Sequence, residues 1–139
     1  MMGGANYNEE EIRPAFNNWY KRNSNCNYMI CQFTDDKSKV VLVEQLEKPA
    51  TFADMLAKLD QGKCYYVWLT LTYMKGDLQK TDKFIMMYSP DSASAQDKMV
   101  YSSNFKQFFG KYNNGLTSFE FHNWDDMTEE AMSAKLNKI

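Results

Sequence analysis

The sequence predicts an α/β (α+β) fold, with one mixed central β-sheet sandwiched between helices on both faces. Three observations lead there. Helix-like and strand-like patterns follow one another in the order α-β-β-α-β-β-α-β-α. The apolar runs at 28–33, 40–43, 65–73 and 84–88 lack clean alternation, as in strands covered on both faces, so the helices must be shared between the faces. Finally, 139 residues with 44% hydrophobic and 15% aromatic content make one domain with a real core, and exclude intrinsic disorder.

Residues 1–6, with Gly3 and Gly4, offer little to pack and are expected to form a flexible tail before a domain over 7–139. Ile12, Phe16, Trp19 and Tyr20 recur on one face of a helix. Pro14 fits only a first turn, so the regular helix starts near residue 11, or 9–12 form a separate turn. Runs at 28–33 and 39–43 flank Asp35-Asp36-Lys37-Ser38 and read as a hairpin. Thr51 can cap a short helix carrying Phe52, Met55, Leu56 and Leu59, with Gly62 just past its end. The 64–74 stretch, rich in Tyr, Val, Trp and Thr, is the strongest strand. A turn at Lys75-Gly76-Asp77 leads to a strand at 84–88. A longer helix over about 95–112 follows Ser89-Pro90-Asp91. A strand at 117–121 and a helix at 128–136 finish the pattern, with Glu129 and Glu130 at the positive helix end.

Composition narrows function by exclusion. A net charge of −2 and a pI of about 5.4 disfavour nucleic acid as a partner. No apolar run approaches the ~20 residues of a membrane span. The start lacks the basic and apolar segments of a secretory signal. Three cysteines, an odd number, then read as reduced thiols of a cytosolic protein. Cys26, Cys31 and Cys64 with the lone His122 could in principle make a Cys3His metal site. No C-x2-C pair exists, however, and Cys31 and Cys64 fall in apolar strands where buried thiols are ordinary. Nothing orients His122 toward a thiol, and neither GxGxxG nor a P-loop is present. The acidic groups at 9–11 and 125–130 read as helix N-termini. No enzyme, metal or cofactor is expected.

The informative element is the helix after Pro90. At 100° per residue Tyr101, Phe105, Phe108 and Tyr112 form a core face, while Met99, Ser103, Lys106 and Gly110 lie opposite. Lys98 stands beside that outer face at the helix start. A flexible apolar side chain on a polar face, next to a lysine, fits a partner contact.

Ser89-Pro90-Asp91-Ser92-Ala93 followed by Lys98-Met99-Val100-Tyr101-Ser102-Ser103 resembles the actin-depolymerising factor/cofilin family. Ala15-Phe16-Asn17, the stretch from Phe52 to Leu59 and Cys64-Tyr65-Tyr66 extend the likeness collinearly over about 6–138. The resemblance implies a single ADF-homology domain that binds actin monomers, the ADP form favoured, and filaments, and that severs or depolymerises filaments without covalent chemistry. It implies a monomer of the cytoplasm and cytoskeleton. It also implies phosphoinositides as further ligands, which no residue pattern supports independently.

By the same resemblance Gly4, Ala5, Gln96, Lys98, Met99, Ser103 and Lys106 form the surface for monomer and filament. Gln96 replaces a usual base. Where the family tends to carry bases, this chain has Phe105, Phe109 and Gly110; Lys106 and Lys111 are partial substitutes. A filament-side surface is implied at Lys80, Lys135 and Lys138, with Asp82 at another usually basic position. The family's regulatory N-terminal serine has no counterpart in Met1-Met2-Gly3-Gly4-Ala5, and the basic nuclear insert of animal members is absent. A non-severing relative, coactosin-like or glia-maturation-factor-like, is the alternative within this fold.

Overall fold

The computed structural model describes residues 6–113 and 115–138. Its elements are β1 (Asn6–Tyr7), α1 (Glu9–Tyr20), β2 (Cys26–Phe33), β3 (Lys39–Glu47), α2 (Phe52–Leu56), β4 (Tyr65–Lys75), β5 (Leu78–Tyr88), α3 (Ala95–Lys111), β6 (Ser118–Phe121), a 3-10 turn (Trp124–Asp126) and α4 (Glu129–Asn137). The strands pair in the order β1-β3-β2-β4-β5-β6. The two outer pairs, β1 with β3 and β5 with β6, are parallel, and the three inner pairs are antiparallel.

The runs at 28–33 and 84–88 and the first half of 65–73 have both faces covered; the run at 40–43 does not, since only Val40 of β3 is buried and Val43 is 46% exposed. One face buries Met29, Cys31, Tyr66, Trp68, Ile85 and Met87 under Ile12, Phe16 and Trp19 of α1, Tyr101 and Phe108 of α3, and Tyr112 just past its end. The other buries Ile30, Val67, Leu69, Phe84 and Met86 under Phe52 and Met55 of α2 and Met132 and Leu136 of α4. Full burial of a side chain such as Phe16, Phe84 or Met29 contributes about 1.5–3 kcal/mol. These two cores hold the sheet rigid beneath α3.

Four differences from the sequence reading have physical causes. Asn6, assigned to the tail, pairs with Lys39, and Tyr7 with Val40. A two-residue strand has no period to read; it is fixed by the Tyr7 ring, 5.5 Å from Phe108 and 5.7 Å from Tyr112. Helix α1 starts at Glu9, with Ile12 N–H donating to Asn8 O at 2.8 Å, and runs through Pro14. Pro14 cannot donate to the Glu10 carbonyl, a loss offset by burial of Ile12, Ala15, Phe16 and Trp19. β3 continues to Glu47 and β5 begins at Leu78, because strand pairing carries polar residues that apolar runs do not reveal. β4 and β5 therefore form one long hairpin, closed by a two-residue turn with Gly76 at φ +64, where a Cβ would be strained.

Candidate functional site

Helix α3 is bolted down on one side and left open on the other. The Tyr66 hydroxyl donates to Tyr101 O at 2.7 Å, and Trp68 Nε1–H to Tyr112 O at 3.0 Å. The Tyr101 hydroxyl accepts from Phe33 N–H at 2.8 Å. Burial pushes the Tyr66 and Tyr101 phenols well above their usual pKa, so they stay neutral. Phe105, only partly buried, stacks on Tyr66 with centroids 6.0 Å apart.

The entry to α3 is equally fixed. Ser89 N–H donates to Phe121 O at 2.9 Å, and the Cys64 thiol donates to Ser89 Oγ at 3.7 Å. His122 Nδ1 lies 2.9 Å from Ser89 O; facing a carbonyl, that nitrogen is the donor. Ser94 caps the helix, accepting from Asp97 N–H at 3.1 Å. Lys98 Nζ donates to Asp91 O at 3.2 Å, holding the half-buried lysine against the Ser89-Pro90-Asp91 turn. Asp97 pairs with Lys37 of the β2–β3 turn at 3.1 Å.

On the outer face Met99 is 65% exposed. Gln96, Ser103, Lys106 and Gly110 are exposed around or beyond it. The outer face of α3 thus carries Met99, Ser103, Lys106 and Gly110, as the helical period placed them. Gly4 and Ala5 lie outside the described residues. Lys111, a substitute base in the sequence reading, has its Nζ 5.7 Å from the Tyr7 ring, and its carbonyl accepts from Arg13 at 3.1 Å.

The four filament-side candidates are less unified. Lys80 and Asp82 line one groove with Tyr73, Lys75 and Leu136. The Tyr73 hydroxyl donates to Asp82 Oδ2 at 2.5 Å, which pushes Tyr73 up to about 12. Lys135 lies against a different cleft with Glu120, His122 and Asp126, its Nζ 5.5 Å from the Phe121 ring and 5.6 Å from Phe119. Lys138 is exposed at the end of α4. Lys135 and Lys138, three residues apart at the end of α4, are both exposed, and the Lys135 ammonium also leans over the β6 rings. Sequence reasoning missed Met74 and Leu78, 55% and 71% exposed on either side of the β4–β5 turn. The alternation of inward Tyr73 and outward Met74 was the available signal. Asn137 Nδ2–H donates to Met74 O at 3.2 Å, tying this tip to α4.

Cys26, Cys31 and Cys64 are free and buried, and burial raises each thiol pKa, which disfavours the nucleophilic thiolate. Among the described residues no three His, Cys, Asp or Glu side chains are placed to hold a metal ion, and no helix is long and apolar enough to cross a membrane.

Comparison with known proteins identifies the group this architecture belongs to. The family model for cofilin/tropomyosin-type actin-binding proteins matches residues 4–137, and the chain belongs to that family. Actin-depolymerizing factor 2 of Petunia hybrida is 34% identical over 76 residues, 53% of each chain. The chain spans about half the length of the first curated relatives it matches. In structure it is similar to the ADF-like UNC-60A protein of Caenorhabditis elegans, with a TM-score of 0.82 at 16% identity, over 99% of this chain and 97% of that one. It is equally similar to human coactosin-like protein, at TM-score 0.82 and 13% identity, over 98% and 100% of the two chains.

Proposed function

We propose that the chain is a one-domain actin-binding protein, with residues 7–139 as its ADF-homology domain, that binds actin monomers and filaments and promotes severing and depolymerisation. Its partner surface is the outer face of α3: Gln96, Lys98, Met99, Ser103 and Lys106, joined by Gly4 and Ala5 of the tail. One observation carries this reading. Met99 projects from a helix whose opposite face is locked in the core, beside a lysine tethered to the preceding turn. The helix that carries this apolar side chain and its neighbouring charge is fixed before docking, so docking orders side chains but no backbone.

Lys80, Lys135 and Lys138, with the tip residues Met74 and Leu78, supply the filament-side contact. The protein acts by binding, without covalent chemistry or cofactor, as a monomer in the cytoplasm and cytoskeleton. It favours the ADP form of actin, and phosphoinositides compete for its basic residues.

A second reading is a non-severing, coactosin-like or glia-maturation-factor-like binder. It is favoured by Asp82 and Gln96 at usually basic positions and by the equal structural likeness to coactosin-like protein. Sedimentation with actin filaments separates the two. A severing protein appears in the pellet and raises actin in the supernatant, a non-severing one pellets and leaves the supernatant unchanged, and absence from the pellet overturns both.

A further inference from the structure

β2 stops pairing with β4 at Tyr28–Leu69, whereas β4 runs on to Lys75 beside β5 alone. Tyr28–Leu69 is a non-bonded pair of that ladder, so the Thr70 amide still faces Asn27 O of β2; among the described residues the outer edge of β4 from Leu71 onward has no strand next to it. A cleft of about 370 Å³ opens there, lined by Tyr28, Lys48, Phe52, Thr70, Thr72 and Glu129. The cleft cuts across the sheet. Tyr28 and Phe52 belong to the α2–α4 core. Thr70 and Thr72 share strand parity with Trp68 and so lie on the α1–α3 face.

The hairpin register sets which backbone groups point outward. Lys75 and Leu78 flank the two-residue turn as a hydrogen-bonded pair, so pairs 74–79, 72–81 and 70–83 are the non-bonded ones. Their amides and carbonyls face away from the partner strand; the Thr70 amide is taken by Asn27 and the Met74 carbonyl by Asn137, which leaves the Thr72 amide and carbonyl and the Met74 amide for a further strand. The 2.9 Å contact between the Thr72 and Thr81 hydroxyls fits the closer side chains of such a pair.

Charge selects what fits beside this edge. Lys83 is half-buried, with Nζ 5.2 Å from the centre of the Trp19 ring and 3.4 Å from Thr70 Oγ1. Its ammonium thus crosses from β5 onto β4, next to the open edge. Burial lowers the Lys83 pKa, and the charge of nearby Lys48 adds to that. Among the described residues neither lysine has a carboxylate at ion-pair distance. On the other face Glu129 stands at the rim and disfavours a second acid there.

We propose that the edge of β4 at residues 71–74, centred on Thr72, binds an extended segment of a partner polypeptide as an added strand, with acidic side chains toward Lys48 and Lys83 and apolar ones toward Tyr28 and Phe52. Such a strand lies ~4.8 Å from β4, within reach of an ammonium already held at Thr70. Main-chain bonds supply affinity, and the alternating side chains supply selectivity and register. Apart from Met74, which the proposed filament side shares, these residues lie outside the surfaces assigned to actin, so failure here leaves the α3 reading intact.

The test is an NMR titration of the isotope-labelled full chain with the peptide acetyl-Val-Glu-Val-Glu-Val-Glu-amide. Saturable shifts at the Thr72 and Met74 amides are expected, with slowed hydrogen exchange at Thr72. Lys83→Met and Lys48→Gln should each weaken binding at least about fivefold, and the peptide with Lys in place of Glu should not saturate. Lys48 is exposed, so K48Q keeps the test decisive if K83M loses stability. No shift at the β4 edge, equal binding of the lysine peptide, or unchanged affinity in K48Q would overturn the proposal.

Discussion

Tyr101 shows how a single residue fixes α3 on the sheet. Its hydroxyl accepts the Phe33 amide, while its own carbonyl accepts from Tyr66, so helix and sheet are cross-linked at one residue. Tyr101→Phe leaves a buried N–H unpaired and should cost about 1–3 kcal/mol, read as a lower urea midpoint with unchanged slope. Glu9 works at the other end of the same face. The Tyr112 hydroxyl donates to its carboxylate, and that bond, reinforced by Arg13, holds its pKa below the usual range. A depressed carboxylate contributes stability that is present above its unfolded value, near pH 4.3, and is lost as pH falls through its folded value. Glu9→Gln should therefore destabilise the protein at pH 6, and its deficit against wild type should vanish toward pH 3 in thermal melts. Tyr73 and Tyr28, both raised to about 12, have the opposite sign. Their contribution is full below about pH 10 and lost as pH rises toward 12. Residues were legible in sequence where a period carried them, as with Met99 opposite Tyr101 and Phe108. They were not legible where a side chain folds onto a distant strand, as Lys135 does over Phe119 and Phe121.

At the scale of elements, α3 was readable because seventeen residues give the helical period room to repeat. The β4–β5 hairpin was half-readable. Its inner residues are apolar, but Gln79 to Lys83 enter the sheet only because β4 pairs with them, which no local pattern announces. The two-residue β1 was invisible for the same reason. The hairpin tip and the end of α4 form the proposed filament side, and they can be tested separately from α3. Lys135→Glu with Lys138→Glu should abolish severing and leave monomer affinity nearly unchanged. Lys138→Glu alone serves as the control, because Lys135 also gains about 0.5–1 kcal/mol from its ring contacts. Leu78→Asp, at a side chain already in solvent, should weaken filament pelleting with no shift in melting temperature. Exposed charges of this kind are screened, so severing should fall as salt rises from ~50 to ~200 mM. Normal severing by the double lysine variant, or an equal loss of monomer binding, would remove the separate filament side.

For the whole molecule, the layered architecture followed from the lack of alternation in β2, β4 and β5, whose burial on both faces leaves only helices to cover them. The candidate surface was legible only in part. Helix period showed which face of α3 is free, whereas the Lys98–Asp91 tether, the exposed hairpin tip and the open β4 edge depend on contacts between segments distant in sequence or on where pairing stops. The central claim is that the outer face of α3 at Lys98 and Met99 is what meets actin. An apolar anchor and a tethered lysine at an interface are each worth ~1–2 kcal/mol or more on truncation. The most direct measurement is the affinity of the Lys98→Ala, Met99→Ala double variant for ADP-actin monomers, with its melting temperature recorded alongside. The account predicts at least a tenfold weaker complex and an unchanged melting temperature; wild-type affinity in that variant would contradict it.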